Sequence, residues 1–241
     1  MIALSVVIPA FDEEGRIERT LQGAVDYLAR RHPSFELVVV DDGSRDRTRE
    51  LAARFVIEDP RVRVLVLPEN QGKGAAVRHG VLASKGARVL VMDADLATPM
   101  DELEKLAAAL DRGADVAIGS RGMPGSELRR SQGKIRETMG KTFNAIVQRV
   151  VLSGIRDTQC GFKLWRGDVA RTVFAEASLD RYAFDVETLL GALDRGFRVD
   201  EIAVAWAHDP DSKVSPIGDA AQMLVDVVRL RIARGNRSRS R

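Results

Sequence analysis

Val89-Leu90-Val91-Met92-Asp93-Ala94-Asp95 is a short apolar run closed by two carboxylates, and it decides how the chain reads. Four apolar residues in a row, bounded by polar ones, suit a strand buried on both faces of a parallel sheet. Runs of the same kind recur at Leu4 to Ile8, Leu37 to Val40, Val62 to Leu67 and Val116 to Ile118. Helical stretches alternate with them, at Glu14–Arg31, Asp46–Phe55, Gly74–Ser84 and Met100–Arg112. Strand, helix, strand, helix predicts an α/β fold, a doubly wound layer with right-handed crossovers.

In such a sheet, ligands bind beyond the carboxyl ends of the strands. Polar residues gather at those ends. Pro9, Phe11, Asp12 and Glu13 follow the first strand; Asp41-Asp42-Gly43-Ser44 follow the second. Asn70-Gln71-Gly72-Lys73-Gly74, Asp93-Ala94-Asp95 and Gly119-Ser120-Arg121 follow the third, fourth and fifth.

Asp93 and Asp95 can meet one hard cation through oxygen. Mg²⁺ or Mn²⁺ suits such a site and takes its other ligands from water and phosphate. The competing reading is that the two acids cap the next helix. Thr98-Pro99 supplies a cap of its own, with Asp101 and Glu102 in the first turn. Asp41 and Asp42 are placed to accept hydrogen bonds from a nucleotide, as an acid after a Rossmann strand does, or to form a plain turn with Gly43. Gly72-Lys73-Gly74 opens a helix, where phosphate is attracted, but a simple loop explains it equally well. The absence of G-x-G-x-x-G after the first strand counts against a nicotinamide or flavin enzyme. Arg121 and Lys213 are candidate phosphate clamps, each also readable as a solvated charge.

Composition bounds the rest. The chain has 241 residues, one α/β domain's worth, 45% of them hydrophobic and 30% charged. The net charge is +2, and taking away the six arginines from Arg229 onward leaves about −4, so the basicity is C-terminal. A single cysteine, Cys160, fits a reducing compartment and reads as buried. The N-terminus reads as a strand rather than a secretory signal, and no window reaches about 18 uninterrupted apolar residues. A cytoplasmic protein is expected, peripheral at the inner face of a membrane if its substrate is a lipid. Aromatic residues total 5% and no nucleic-acid motif accompanies the arginines, so no nucleic-acid partner is expected. The three histidines lack metal-ligand spacing, and Trp165 and Trp206 read as core.

The second half is less regular. Ile135, Met139, Phe143, Ile146, Val147 and Val150 follow helical spacing. A loop at Arg156–Phe162 leads to a strand at Lys163–Arg166, a helix at Phe184–Arg195 and a strand at Ile202–Trp206. The last helix is expected at Ile217–Ala233, giving one domain over residues 1–233 and a basic, disordered tail over 234–241.

Taken together, Ser5-Val6-Val7-Ile8-Pro9-Ala10-Phe11-Asp12-Glu13-Glu14, Val40-Asp41-Asp42-Gly43-Ser44, Asn70-Gln71-Gly72-Lys73-Gly74, Asp93-Ala94-Asp95 and Gly119-Ser120-Arg121 resemble glycosyltransferase family 2, the inverting enzymes of GT-A fold. Gly154 through Leu164, Ala183-Phe184-Asp185-Val186-Glu187, Glu201 through Trp206 and Ser212-Lys213 resemble its dolichyl-phosphate β-glucosyltransferase branch. The resemblance implies a mostly parallel, Rossmann-like sheet flanked by helices. It implies transfer of a hexose, glucose from UDP-glucose, onto a polyprenyl or dolichyl phosphate. Pro9, Phe11, Glu13 and Asp42 would line the nucleotide; Asp41, Lys73, Ala94 and Gln159 complete the expected substrate contacts. Asp93 and Asp95 would hold the metal and diphosphate, and Arg121 and Lys213 would meet phosphates. Ala97 stands where related mannosyl-phosphate synthases often place a metal-contacting Gln, which argues against GDP-mannose.

Two acceptors stay open. A sugar, protein or small-molecule hydroxyl needs a general base, and Asp185 or Glu187 is the candidate. A lipid phosphate, with a second pKa of roughly 6, is already an anion and needs only cations such as Arg121, Arg129, Arg130 or Lys213. The apolar-faced helix at Ile135–Val150 and the arginine tail would then dock on a bilayer.

Overall fold

The computed structural model of the chain describes residues 2–130, 154–207 and 218–239. Four parallel strands form the first half of a seven-stranded sheet: β1 (Leu4–Ala10), β2 (Phe35–Asp41), β3 (Val62–Val66) and β4 (Arg88–Met92). Three more, β5 (Val116–Ser120), β7 (Phe162–Arg166) and β8 (Val199–Ala203), complete it in the order β3-β2-β1-β4-β7-β5-β8. β6 (Glu127–Arg130) and β9 (Ala205–Ala207) make a separate parallel pair.

Alternation places the core on both faces. Leu4, Val6, Ile8, Leu37, Val39, Leu90 and Met92 face one cluster, with α1 (Ile17–Arg31), α2 (Thr48–Glu58) and α4 (Leu103–Asp111) packed over it. Val7, Val38, Val40, Val89 and Val91 face the other, under α3 (Lys73–Ala83), α5 (Gly167–Glu176), α6 (Phe184–Asp194) and α7 (Gly218–Arg239). On α1 the buried Ile17, Thr20, Leu21, Ala24 and Leu28 recur at helical spacing. Each fully buried aliphatic side chain contributes roughly 1.5–3 kcal/mol.

The structure sets one direction that the sequence reading left open and departs from that reading in three places. β7 runs antiparallel and lies between β4 and β5. The run expected as one strand at Ile202–Trp206 divides at Val204: β8 pairs with β5, and β9 turns away to pair with β6. α1 begins at Ile17 rather than Glu14, because Glu13's carbonyl accepts the N–H groups of both Arg16 and Ile17 in a preceding turn. α7 runs on through Arg239, so residues 234–239, expected as tail, are helical; arginine is a good helix former. The expected helix at Ile135–Val150 and Lys213 lie outside the described residues.

Candidate active site

The ends of β1, β2 and β4 and the first turn of α3 meet in one cavity of about 360 Å³. From the sequence-predicted set it brings together Pro9, Phe11, Glu13, Asp42, Lys73, Asp93, Ala94 and Asp95. Arg16, Asn70, Arg181 and Tyr182 also line it.

The loops after β1 and β2 latch together. Asp12, held at φ 52°, donates its N–H to Ser44 Oγ at 2.9 Å and accepts Arg45 N–H at 2.7 Å. Glu13 N–H donates to Thr48 Oγ1 at 2.6 Å, and the Glu13 carboxylate receives the Arg16 guanidinium, with Nη2 to Oε1 at 2.9 Å. Asp42 turns both carboxylate oxygens onto the third loop, accepting Gln71 N–H at 2.8 Å and Gly72 N–H at 2.9 Å. Burial raises its pKa against those two bonds, which lower it. Asp41 lies off the cavity; its buried carboxylate accepts Ser44 N–H at 3.3 Å and shapes the turn.

Asp93 and Asp95 stand just past β4. Lys73 Nζ lies 2.6 Å from Asp93 Oδ1. Asp95 Oδ1 accepts Ala97 N–H at 2.9 Å. Burial first, and the Asp93 charge second, push the Asp95 carboxyl up to about 6. Burial would depress the Lys73 ammonium, but the carboxylates of Asp93 and Asp185 outweigh it and the pKa rises. Thr98 does not cap the next helix as expected: no side-chain cap bond is made, and its hydroxyl lies 3.9 Å from Cys160 Sγ. Cys160 is buried, which raises its thiol to about 11.

The segment before β7 closes on this corner from behind. Gly161 carbonyl accepts Asp93 N–H at 3.1 Å. A Cβ at Gly161 would fall 2.0 Å from Asp93 Oδ2, so only glycine fits there. Lys163 of β7, buried, donates to the Cys160 carbonyl and to Asp185 Oδ1, the latter at 2.7 Å. Asp185 is therefore a buried ion-pair partner away from the cavity lining, and burial raises its pKa against the pull of Lys163 and Lys73. Glu187, two residues on, points elsewhere and accepts Ser178 N–H, Ser178 Oγ–H and Leu179 N–H at 2.8–3.0 Å.

Arg121 follows β5 and is gripped by Asp157, with Nε to Oδ2 at 2.7 Å and Nη2 to Oδ1 at 2.9 Å. Its guanidinium lies 5.3 Å from the centre of the Trp206 ring. The Asp157 carboxylate, against the effect of burial, raises the arginine's pKa, and Arg121 in turn lowers that of Asp157. Arg121 and Gln159 are both outside the cavity lining; Gln159 donates its N–H to Asp157 Oδ1 at 3.1 Å.

Arg181 and Tyr182 come from the loop between α5 and α6, a region without a motif. The signal for them lay in the two glycines of Gly72-Lys73-Gly74. At Gly72, φ is 108° and a Cβ would meet the Asp180 carbonyl at 2.4 Å; at Gly74 it would meet the Leu179 carbonyl at 2.4 Å. The glycines admit that loop.

Among the described residues, no three His, Cys, Asp or Glu side chains form a closed metal cage, and no helix is long and apolar enough to cross a membrane.

A family model described as glycosyl transferase family 2 matches residues 5–174. Dolichyl-phosphate beta-glucosyltransferase of Dictyostelium discoideum is 34% identical, over 95% of this chain and 74% of its own length. The human protein of the same name is 36% identical over 95% and 75%, and that of Saccharomyces cerevisiae 34% over 96% and 75%. Among solved structures, glucosyl-3-phosphoglycerate synthase from Mycobacterium tuberculosis in complex with Mn²⁺ and UDP-glucose superposes with a TM-score of 0.68. That match covers 95% of this chain and 79% of the other at 19% identity, a likeness of fold alone.

Proposed function

The chain belongs to glycosyl transferase family 2, and from that premise we propose that it moves glucose from UDP-glucose onto a dolichyl or other polyprenyl phosphate, with inversion. The observation that carries the reading is what faces the cavity and what does not. The carboxylates of Asp93 and Asp95 and the Lys73 ammonium converge there, as a diphosphate and its cation require. Neither candidate base faces it. Asp185 is buried against Lys163, and Glu187 is spent on the 178–179 loop. A hydroxyl acceptor would need a general base such as these two; a phosphate monoester does not, because it is already an anion near neutral pH.

Pro9 and Phe11 offer apolar surface to the base. Asp42 keeps lone pairs beyond the two it gives the backbone and can accept from the base or ribose. Asp93 and Asp95 would hold Mg²⁺ or Mn²⁺. Two hard oxygens, with no third side-chain ligand among the described residues, fit an ion whose remaining positions go to water and diphosphate. Once bound, the ion neutralises charge on the departing nucleotide. Lys73, the first residue of α3, holds diphosphate oxygens, while Arg121 stays bonded to Asp157 outside the cavity lining. Ala97 brings no side-chain ligand to the corner.

The test supplies UDP-[¹⁴C]glucose with polyprenyl phosphate or with soluble sugars. Label is expected in the lipid; label confined to the soluble sugars overturns the acceptor.

Such an acceptor brings the enzyme to a bilayer, and α7 has a surface for it. Met223 and Val227 pack inward, while Leu224, Val225, Val228 and Ile232 are 37%, 45%, 43% and 60% exposed on the opposite side. Arg229 and Arg231 flank them, and four more arginines follow. An apolar stripe edged by cations matches an anionic leaflet, each arginine near the surface adding about 1 kcal/mol. Flotation with anionic vesicles is expected to fall at least about tenfold for Val228→Glu/Ile232→Glu and for removal of residues 234–241. Unchanged flotation removes α7 from the account.

A further inference from the structure

Lys73 occupies an unusual place for a phosphate-binding lysine. Its ammonium is on the carboxylate that a divalent ion would use, 2.6 Å from Asp93 Oδ1. The pair is not a surface accident. The Lys73 side chain is 23% exposed and that of Asp93 31%, both inside the cavity. Asp93 is fixed from behind by its N–H bond to Gly161 and by the absence of a side chain there. Lys73 is fixed at its root as the first residue of α3, after a Gly72 that only a positive φ accommodates. What is free to move is the flexible four-carbon stem of the lysine.

We propose that Lys73 is a resident counter-ion: with no donor bound it holds Asp93 and excludes a divalent ion, and it yields Asp93 only when a nucleotide diphosphate gives its ammonium another anion. This inference rests on the metal reading of Asp93 and Asp95. Two cations cannot share one carboxylate oxygen at that distance without strong repulsion, and in a half-buried cavity the repulsion is weakly screened. A diphosphate changes the balance. It brings oxygens for both cations, so lysine and metal stop competing and begin to share a ligand. Metal and nucleotide then bind with positive coupling, and by linkage each raises the other's affinity by the same factor. The free enzyme would hold the ion poorly and the donor complex would hold it well.

The consequence for mutation has two opposite signs. Removing the ammonium strengthens the binding of metal alone and weakens the binding of nucleotide. A lysine that merely touched phosphate would produce only the second effect, and a structural lysine would weaken both.

The measurement is titration of Mn²⁺, by calorimetry and by the loss of its free EPR signal, into enzyme stripped with chelator, without nucleotide and then with saturating UDP. Wild type, Lys73→Met, Lys73→Gln, Lys73→Arg and Asp93→Asn are compared after circular dichroism establishes that each is folded. Lys73→Met is expected to bind Mn²⁺ alone about tenfold tighter than wild type or better, and UDP in the presence of Mn²⁺ at least about tenfold more weakly. Lys73→Gln repeats the pattern if the methionine variant folds poorly. Lys73→Arg, keeping the charge, resembles wild type for the metal. If both neutral variants bind Mn²⁺ alone no tighter than wild type while Asp93→Asn abolishes binding, the counter-ion role is overturned and the metal site stands. If Asp93→Asn binds Mn²⁺ as well as wild type, the metal reading falls and this inference falls with it.

Discussion

Asp95→Asn is expected to cut glucosyl transfer at least about a thousandfold and yet to leave the metal-free protein as stable as wild type or more so. On the proposed metal reading, the loss follows from replacing one of two anionic oxygen ligands by a neutral amide, which would weaken the grip on a divalent ion at the departing diphosphate. The gain follows from the electrostatics of the corner. Burial and the Asp93 charge push the Asp95 carboxyl from its ordinary 3.8 to about 6. A carboxyl raised in the folded state weighs against folding once pH climbs past its unfolded value. That cost is absent near pH 4, grows to about pH 6 and persists at full size above. Asparagine never carries it, and its carbonyl can still accept the Ala97 N–H. At pH 7.5 in chelator the variant should melt at the wild-type temperature or about 2 °C above it, and the gap should close toward pH 4. Thermal melts across that range, paired with transfer assays, check both halves; a variant several degrees less stable at pH 7.5 with transfer intact contradicts both.

The second large effect is on folding. Asp185→Asn leaves the Lys163 ammonium buried, 4% exposed at its side chain, without a carboxylate partner. Breaking one side of a buried pair costs about 3–5 kcal/mol, which for a chain of this size lowers Tm by about 10 °C. Lys163→Met/Asp185→Leu should recover most of that loss, since neither charge is then stranded. Differential scanning calorimetry on the single and double variants gives the coupling directly. The outcome also decides between acceptors. If Asp185→Asn keeps the wild-type Tm and donor affinity but loses turnover, Asp185 works on the acceptor, and a hydroxyl acceptor returns.

The parallel half of the sheet could be read from residues alone. β1, β2 and β4 are runs of Val, Leu and Ile, and each turned out to feed two cores on alternate positions. The cavity was equally legible where its residues stand at strand tips, because topology fixes that strand ends meet. Three features were not. Phe162-Lys163-Leu164-Trp165-Arg166 reads as a strand, but nothing local says that it runs antiparallel between two others. Asp185 and Glu187 looked alike as candidate bases because spacing on paper ignores direction. On a helix, two positions apart is about 200° of rotation, so one faced Lys163 and the other the 178–179 loop. Arg181 and Tyr182 arrive on a loop whose docking depends on glycines about a hundred residues earlier, a distance no periodicity spans.

The antiparallel wedge has a bearing on how the polypeptide matures. β4 and β5 have no ladder between them except through β7, whose residues are translated some seventy positions after β4. On a ribosome the first four strands can assemble among themselves, but β4 keeps an open edge until Arg166 has left the exit tunnel. The same late arrival delivers Gly161 to Asp93. The Asp93 corner and the closure of the sheet thus wait on the same segment, and a nascent chain released early would lack both and be exposed to edge-to-edge aggregation.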